Sequence, residues 1–465
     1  MKRTRAVRSA WIAGTAALAM ILTACGSNSD SSSASVSVGG GAAATAVTGD
    51  VSGSIDYWLW DSNQLPAYQE CADAFSKKYP NAKVNITQYG WDDYWAKINN
   101  GFTSGTGPDV FTNHLSKYPE FVNKQYILNL SDALKADGAD KDIYQKGLLS
   151  LWTAQDGGIY GLPKDFDTIG LFYNEDMITA AGYTDADLQN LTWNTTDGGT
   201  FEKFIAHMTI DANGVRGDEP GFDKTNIKTY GFGQENLTDG NGQTQWSPFT
   251  GSNGWTYTDK NPWGTQFNYG DDKFNETMTF YKSLSEKGYS PTIDKTVGVD
   301  TGTQLAAGTY ATIFEGDWNT SSYLGKGVNL KIAPTPIGPS GERASMFNGL
   351  ADSVNAGTKN QAAAVKWVEF TGSQECQDLV AAKAVVFPAI PASTDKAEAA
   401  FKAKGVDMSG FLVQVKDGTT FLFPITDHAA DVTAIMAPAL QGFMSGQADV
   451  SSFKDANDQV NALFQ

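Results

Sequence analysis

Ser54-Ile55-Asp56-Tyr57-Trp58-Leu59-Trp60-Asp61-Ser62-Asn63-Gln64-Leu65-Pro66 contains the transition on which the fold turns. Its first seven residues are rich in aromatic and β-branched side chains and close on polar Asp61-Ser62-Asn63, the pattern of a strand running into a turn. Pro66 opens a helix over 66–78, because proline is accommodated in a first helical turn, and Tyr68, Ala72 and Phe75 follow at helical spacing. Residues 83–89 alternate as a second strand. A helix over 92–102 leads through Gly105-Thr106-Gly107-Pro108 to a third strand that begins at Asp109-Val110-Phe111. Strands and helices in this order build a parallel sheet, with ligand-facing loops at the carboxyl ends of its strands. Asp61, Asn63, Asn113 and His114 sit in those loops.

Toward the N-terminus the sequence specifies a compartment. Lys2, Arg3, Arg5 and Arg8 precede a small, apolar run over 10–22, shorter than the ~20 residues that cross a bilayer. The form is that of a secretory signal over 1–24. It ends in Leu22-Thr23-Ala24-Cys25-Gly26, which resembles a bacterial lipobox, so Cys25 is expected to carry the lipid and become the mature N-terminus. Residues 26–53 are nearly all Ser, Gly, Ala, Thr and Val. They bury too little to offset their ordering entropy and are expected to form a flexible tether, with folding from near Ser54. The protein is therefore expected outside the cytoplasm, lipid-anchored to the cell membrane of a bacterium.

About 410 residues remain, enough for two lobes. The chain has 52 acidic and 34 basic residues, and removing the four basic residues of the signal takes its formal net charge from −18 to −22. That balance argues against a nucleic-acid surface or a protein face for anionic membranes. After Cys25 only Cys71 and Cys376 remain. They are either one bridge in an oxidising space or two buried thiols on helical stretches.

Farther along come Phe75-Ser76-Lys77-Lys78-Tyr79-Pro80, Ile159-Tyr160-Gly161-Leu162-Pro163 and Leu171-Phe172-Tyr173-Asn174-Glu175-Asp176. Ala307-Gly308-Thr309-Tyr310-Ala311-Thr312, Gly316-Asp317-Trp318, Ala333-Pro334-Thr335-Pro336 and Ala364-Val365-Lys366-Trp367-Val368-Glu369-Phe370 follow. Each block is weak alone, but their order and spacing over essentially the whole mature chain resemble family 1 extracellular solute-binding proteins. These are sugar-binding components of ATP-binding-cassette importers, a group that includes maltose-binding protein. The resemblance implies an α/β, two-lobe periplasmic-binding-protein-like fold with a hinge and an interlobe ligand cleft. Residues 54–165 with 338–392 would form lobe 1, and 166–337 with 393–465 would form lobe 2. It also implies a monomer that closes on an oligosaccharide and delivers it to permease subunits.

A sugar offers a face of C–H bonds to aromatic rings and a rim of hydroxyls to polar side chains. The resemblance places an aromatic platform at Trp318, after Glu315-Gly316-Asp317, and favours stacking there over core packing. Asp61 and Asn63 are hydroxyl partners or a turn and helix cap. Asn113 and His114 stand where the family usually meets its ligand, although maltose binders have an aromatic at the Asn113 position, and a lone His is more often structural. Asp167 aligns with a sugar-binding carboxylate. For Lys164 and Asp165 a salt bridge across the hinge is preferred. Glu235, Asn236 and Trp246 belong to a polar stretch like the family's ligand loops. Asn348 and Asp352 flank Gly349, which permits close backbone approach. Asp427 and His428 could grip vicinal hydroxyls, or the segment could cap the last helical region.

Asp211-Ala212-Asn213-Gly214 faintly resembles a calcium loop, but it lacks the full spacing and terminal Glu, so a surface turn is preferred. There is no Cys/His zinc cluster, phosphate loop or nucleophile elbow, and neither cofactor nor metal is expected. The rivals are a secreted carbohydrate-active hydrolase, which needs a carboxylate pair at a set separation, and the same fold holding a non-sugar solute. A cationic solute would want several cleft carboxylates. An anionic one would want Arg, and only Arg216 and Arg343 follow the signal.

Overall fold

The alternation of the first strand puts Ile55, Tyr57 and Leu59 on one buried face, with Ser54 and Asp56 exposed on the other. In the computed structural model residues 42–465 are described. The signal over 1–24, Cys25 and the tether as far as residue 41 lie outside the described residues. Folding begins before Ser54, earlier than composition suggests. The Ala44 N–H donates to the Asn129 carbonyl at 2.8 Å, the Asn129 N–H donates to the Ala42 carbonyl at 2.9 Å, and Ala44 is buried. Backbone pairing needs no large side chain, which is why a composition poor in bulky residues did not reveal it.

The strands run β1 (Gly53–Leu59), β2 (Ala82–Gln88), β3 (Val110–Asn113), β4 (Leu162–Pro163), β5 (Asp165–Phe166), β6 (Ile169–Asn174) and β7 (Ile210–Asp211). Then come β8 (Ile227–Gly233), β9 (Tyr310–Gly316), β10 (Leu330–Ala333), β11 (Ser345–Phe347), β12 (Ala351–Val354), β13 (Phe387–Pro388) and β14 (Thr420–Leu422). One sheet has the order β2-β1-β3-β12-β4 and the other β10-β6-β9-β8-β7. In the first, β1 is parallel to β2 and β3, as its helical crossovers require, and β12 returns antiparallel. Helix Leu65–Lys78 has Pro66 in its first turn and buries Ala67, Tyr68, Cys71, Ala72 and Phe75. Trp367 packs edge-on against Tyr57 and Phe75 in this core, whereas Trp193 stacks on Phe280 in the core of the second sheet.

The chain passes between the sheets three times, and the three passages lie side by side. β5 pairs with β13, and Asp167 and Asn348 exchange backbone hydrogen bonds of 2.9 and 3.2 Å. After the third passage helix Ser409–Asp417 joins the second sheet, with the Gln414 amide donating to the Ile169 carbonyl at 2.8 Å. Two α/β lobes joined by adjacent passages make a hinge. No helix among the described residues is long and apolar enough to cross a membrane.

Cys71 and Cys376 are bonded, tying helix Leu65–Lys78 to helix Gln374–Lys383 across a sequence separation of 305. Protein lacking residues 1–41, denatured without reductant, is expected to show no titratable thiol, and two only after reduction. Two thiols before reduction would contradict the bridge.

Candidate functional site

Between the lobes lies a cleft of about 940 Å³. One wall is built where β1, β2 and β3 end. Trp60 follows β1, Trp91 opens helix Trp91–Ser104, and His114 follows β3. The three rings meet edge to face: Trp60 to Trp91 at 5.0 Å and Trp91 to His114 at 5.5 Å. Trp91 remains 44% exposed at the rim, costly for an indole unless something covers it. The opposite wall carries Trp318, Glu235, Asp239 and Phe423, and the Phe423 ring meets His114 edge-on across the gap at 5.5 Å. Trp318 lies over Gly316 so closely that a Cβ there would stand 1.9 Å from the indole, so this glycine fixes the pose of the ring. The floor comes from the passages and from the turn after β9: Asp165, Asp167, Asn348 and Asp317.

His114 is neutral. Burial, with a lesser push from the charge of Lys117, takes it down to about 3. Its Nδ1 accepts the Ser116 N–H at 3.1 Å and lies 2.9 Å from Ser116 Oγ, and its Nε2 lies 3.3 Å from the Asn348 amide nitrogen. The carboxylates move the other way. Burial raises Asp165 to about 6 against the opposing pull of Lys164. It raises Asp167, helped by the charges of Asp317 and Asp165, and it raises Asp317, Asp61 and Glu235 as well. Asp61 accepts the Asn63 N–H at 2.8 Å and the Gln64 amide at 3.0 Å, and so closes a local turn while lining the cleft. Glu235 accepts the Thr244 hydroxyl at 2.6 Å.

An acid whose pKa is raised on folding contributes stability when protonated and loses it as pH climbs through the folded value. Asp165 at about 6 and Glu315, which burial pushes to about 8, set the window. The midpoint of thermal unfolding of the unliganded protein is expected to rise as pH falls from about 8 to about 5.5. A flat or falling midpoint in that range would mean these groups are charged in the folded state.

Of the residues singled out in the sequence, Asp61, His114, Asp167, Glu235, Trp318 and Asn348 line the cleft together. Asn236 lines a smaller adjoining recess that shares Glu235, Asp239 and Trp318, and its backbone carbonyl accepts the Gln245 amide. Asn113 is fully buried, with its amide spent on Ser353 Oγ and on the His114 N–H. Trp246 is a core ring against Trp255, Tyr257 and Phe274. Asp352 lies beneath the floor and holds Lys164 at 3.1 Å. That corrects the preferred Lys164–Asp165 pair: neighbours on an extended chain point to opposite faces, so Lys164 turns into lobe 1 and Asp165 turns to the cleft.

Asn63 and Asp427 reach across the lobes instead of into the cleft. The Asn63 amide donates to Ser322 Oγ at 2.8 Å, while Asp427 accepts the Asn123 and Gln155 amides at 3.0 and 2.5 Å. His428 is on the surface beside Asp431, with its ring against Phe464. Asp211 caps its own turn by accepting N–H groups of Asn213, Val215 and Asp223, and among the described residues no three His, Cys, Asp or Glu side chains converge as a metal site. Trp60, Trp91, Asp239 and Asp317 were not singled out. The rule that ligands meet the carboxyl ends of parallel strands points to Trp60 and Trp91, and Asp317 adjoins Trp318.

Two lobes, a hinge of adjacent passages and an aromatic-walled cleft define a ligand-capture protein that closes on its solute. The sequence matches the bacterial extracellular solute-binding protein family over residues 70–406, and the chain belongs to that family. It is 26% identical to the maltooligosaccharide ABC transporter solute-binding lipoprotein of Streptococcus pneumoniae, over 98% of this chain and 96% of that protein. It is 29% identical to the lactose-binding protein of Rhizobium radiobacter over 153 residues, 32% of this chain and about a third (35%) of that one. A solved ABC substrate-binding protein from Listeria monocytogenes, in complex with cycloalternan, superposes with a TM-score of 0.75 at 17% identity, covering 88% of this chain and 98% of that one.

Proposed function

We propose that this protein is an extracytoplasmic lipoprotein, anchored through Cys25, that captures an oligosaccharide by lobe closure and delivers it to the membrane subunits of an ATP-binding-cassette importer. The observation that carries the reading is the presence of indole surfaces on both walls of one cleft, Trp60 and Trp91 on one and Trp318 on the other, among polar groups. Rings on opposite walls sandwich the C–H faces of pyranose units, while Asp61, Asp167 and Asn348 meet the hydroxyls. A cleft of about 940 Å³ has room for several sugar units. The saccharide ligands of the relatives support the reading, as does the word lipoprotein in the name of the pneumococcal protein. In this proposal residues 54–165 and 338–392 move as one lobe together with helix Pro391–Ala403, whose Ser393 and Lys396 bond to Asp378, residues 166–337 move with the chain from Ser409 as the other, and the protein works as a monomer.

The test is calorimetric titration of protein lacking residues 1–41 against di- to tetrasaccharides of several linkages. Saturable binding at micromolar or tighter affinity, with the sugar recovered intact, is the expected result. Hydrolysed products accumulating in the cell would turn the reading toward a hydrolase, and no binding to any member would remove saccharides as the solute.

A further inference from the structure

The charge of the cleft is lopsided. Asp61, Asp92, Asp165, Asp167, Glu235, Asp239 and Asp317 line it against one lysine, Lys117, and its histidine is neutral. Hydroxyls need acceptors, but amide and carbonyl groups supply those without the cost of taking ionised carboxylates out of water. The floor concentrates the imbalance. Asp165, 1% exposed, accepts the Leu350 N–H on Oδ1 at 2.8 Å, while its Oδ2 has no hydrogen-bond partner from the protein. Asp167 lies two residues beyond Asp165 on the same passage, and Asp317, fully buried, accepts the backbone N–H groups of Thr168 and Phe387, at 3.1 and 3.4 Å. The nearest buried cation, Lys164, is committed to Tyr57, Thr112 and Asp352 on the far side of the passage. No three potential ligands converge on a metal position among the described residues.

We propose that the saccharide taken by this cleft carries a basic nitrogen, an amino sugar or amine-linked unit, whose ammonium group docks on Asp165 Oδ2 and the neighbouring Asp167 and Asp317. This rests on the oligosaccharide reading and narrows it. An ammonium group donates to the orphaned oxygen, and its charge favours the ionised form of an acid that burial otherwise disfavours. The indole walls suit the same ligand, since an aromatic face accepts both a pyranose C–H face and a cation.

Three matched series decide it: glucosamine oligomers, their N-acetylated counterparts, and neutral β-1,4 and α-1,4 gluco-oligosaccharides, with spermidine as a cation without a sugar. The aminated series is expected to bind about ten- to a hundredfold more tightly than either uncharged series. Its affinity should fall with added salt, and Asp165→Asn and, separately, Asp167→Asn should erase most of the preference. Equal or tighter binding of neutral sugars overturns the inference and leaves the oligosaccharide reading standing. Spermidine binding without any sugar binding overturns both, and so does a complete absence of binding.

Discussion

Lys164→Met is expected to destabilise the folded protein by about 3–5 kcal/mol, measured by urea unfolding followed through tryptophan fluorescence. Lys164 Nζ donates to Thr112 Oγ1 at 2.6 Å, to Tyr57 OH at 2.9 Å and to Asp352 Oδ1 at 3.1 Å, and both charged side chains are inaccessible to water. The ammonium also stands 4.2 Å from the centre of the Tyr68 ring. Without it, Asp352 keeps only the Tyr57 and Thr112 hydroxyls on Oδ1, and its Oδ2 already lacks a partner. An unpaired buried charge is the expensive outcome, whereas removing both charges is not. The double variant Lys164→Met/Asp352→Leu should therefore recover most of the loss. A single variant within about 1 kcal/mol of wild type would show that the pair is solvated or exchanged in solution. The pair also matters for the site, because it clamps the first passage to β12 and so holds the residues on either side of Lys164 in place.

The parts of this architecture that the sequence displays are those governed by local periodicity. Strand β1 alternates in period two over a run long enough to be unambiguous, and Pro66 marks the following helix to within a residue. The partners of polar side chains follow no such rule. Asn63 and Asp61 are two residues apart in one turn, yet Asp61 lines the cleft and Asn63 bonds to Ser322 on the other lobe. Asp427 is a half-buried acid near a helix start, and what distinguishes it is two amides that arrive from residues 304 and 272 positions away. Trp246 sits among Gln, Thr and Gly in sequence but in a cage of Trp255, Tyr257 and Phe274 in space. Long-range pairing decides Asn63 and Asp427, as it does the Cys71–Cys376 bond, and the folding back of the following segment as far as Phe274 decides Trp246. Asp165 is a different case. The alternation of an extended chain separates it from Lys164, and applying that rule to the passage would have turned its carboxylate toward the cleft from sequence alone.

Replacing Trp318 by Ala is expected to weaken saccharide binding by about 1–3 kcal/mol, roughly ten- to a hundredfold in dissociation constant, with little change in stability. Stability should hold because the ring is only partly buried and rests against the core edge instead of filling it. Binding should suffer because Trp318 is shared by the cleft and its adjoining recess. A change at Gly316 tests the same surface without removing it. The Cβ of Gly316→Ala would stand 1.9 Å from the indole, so the ring must leave its present plane. If stacking on that plane is what matters, Gly316→Ala weakens binding in the same direction as Trp318→Ala, and combining the two adds little. Losses that add in full would mean that Gly316 acts through the backbone of β9 and not through the ring. Unchanged affinity in a folded Trp318→Ala variant would move the platform to Trp60 and Trp91, leaving Phe423 as the ring that the opposite wall offers.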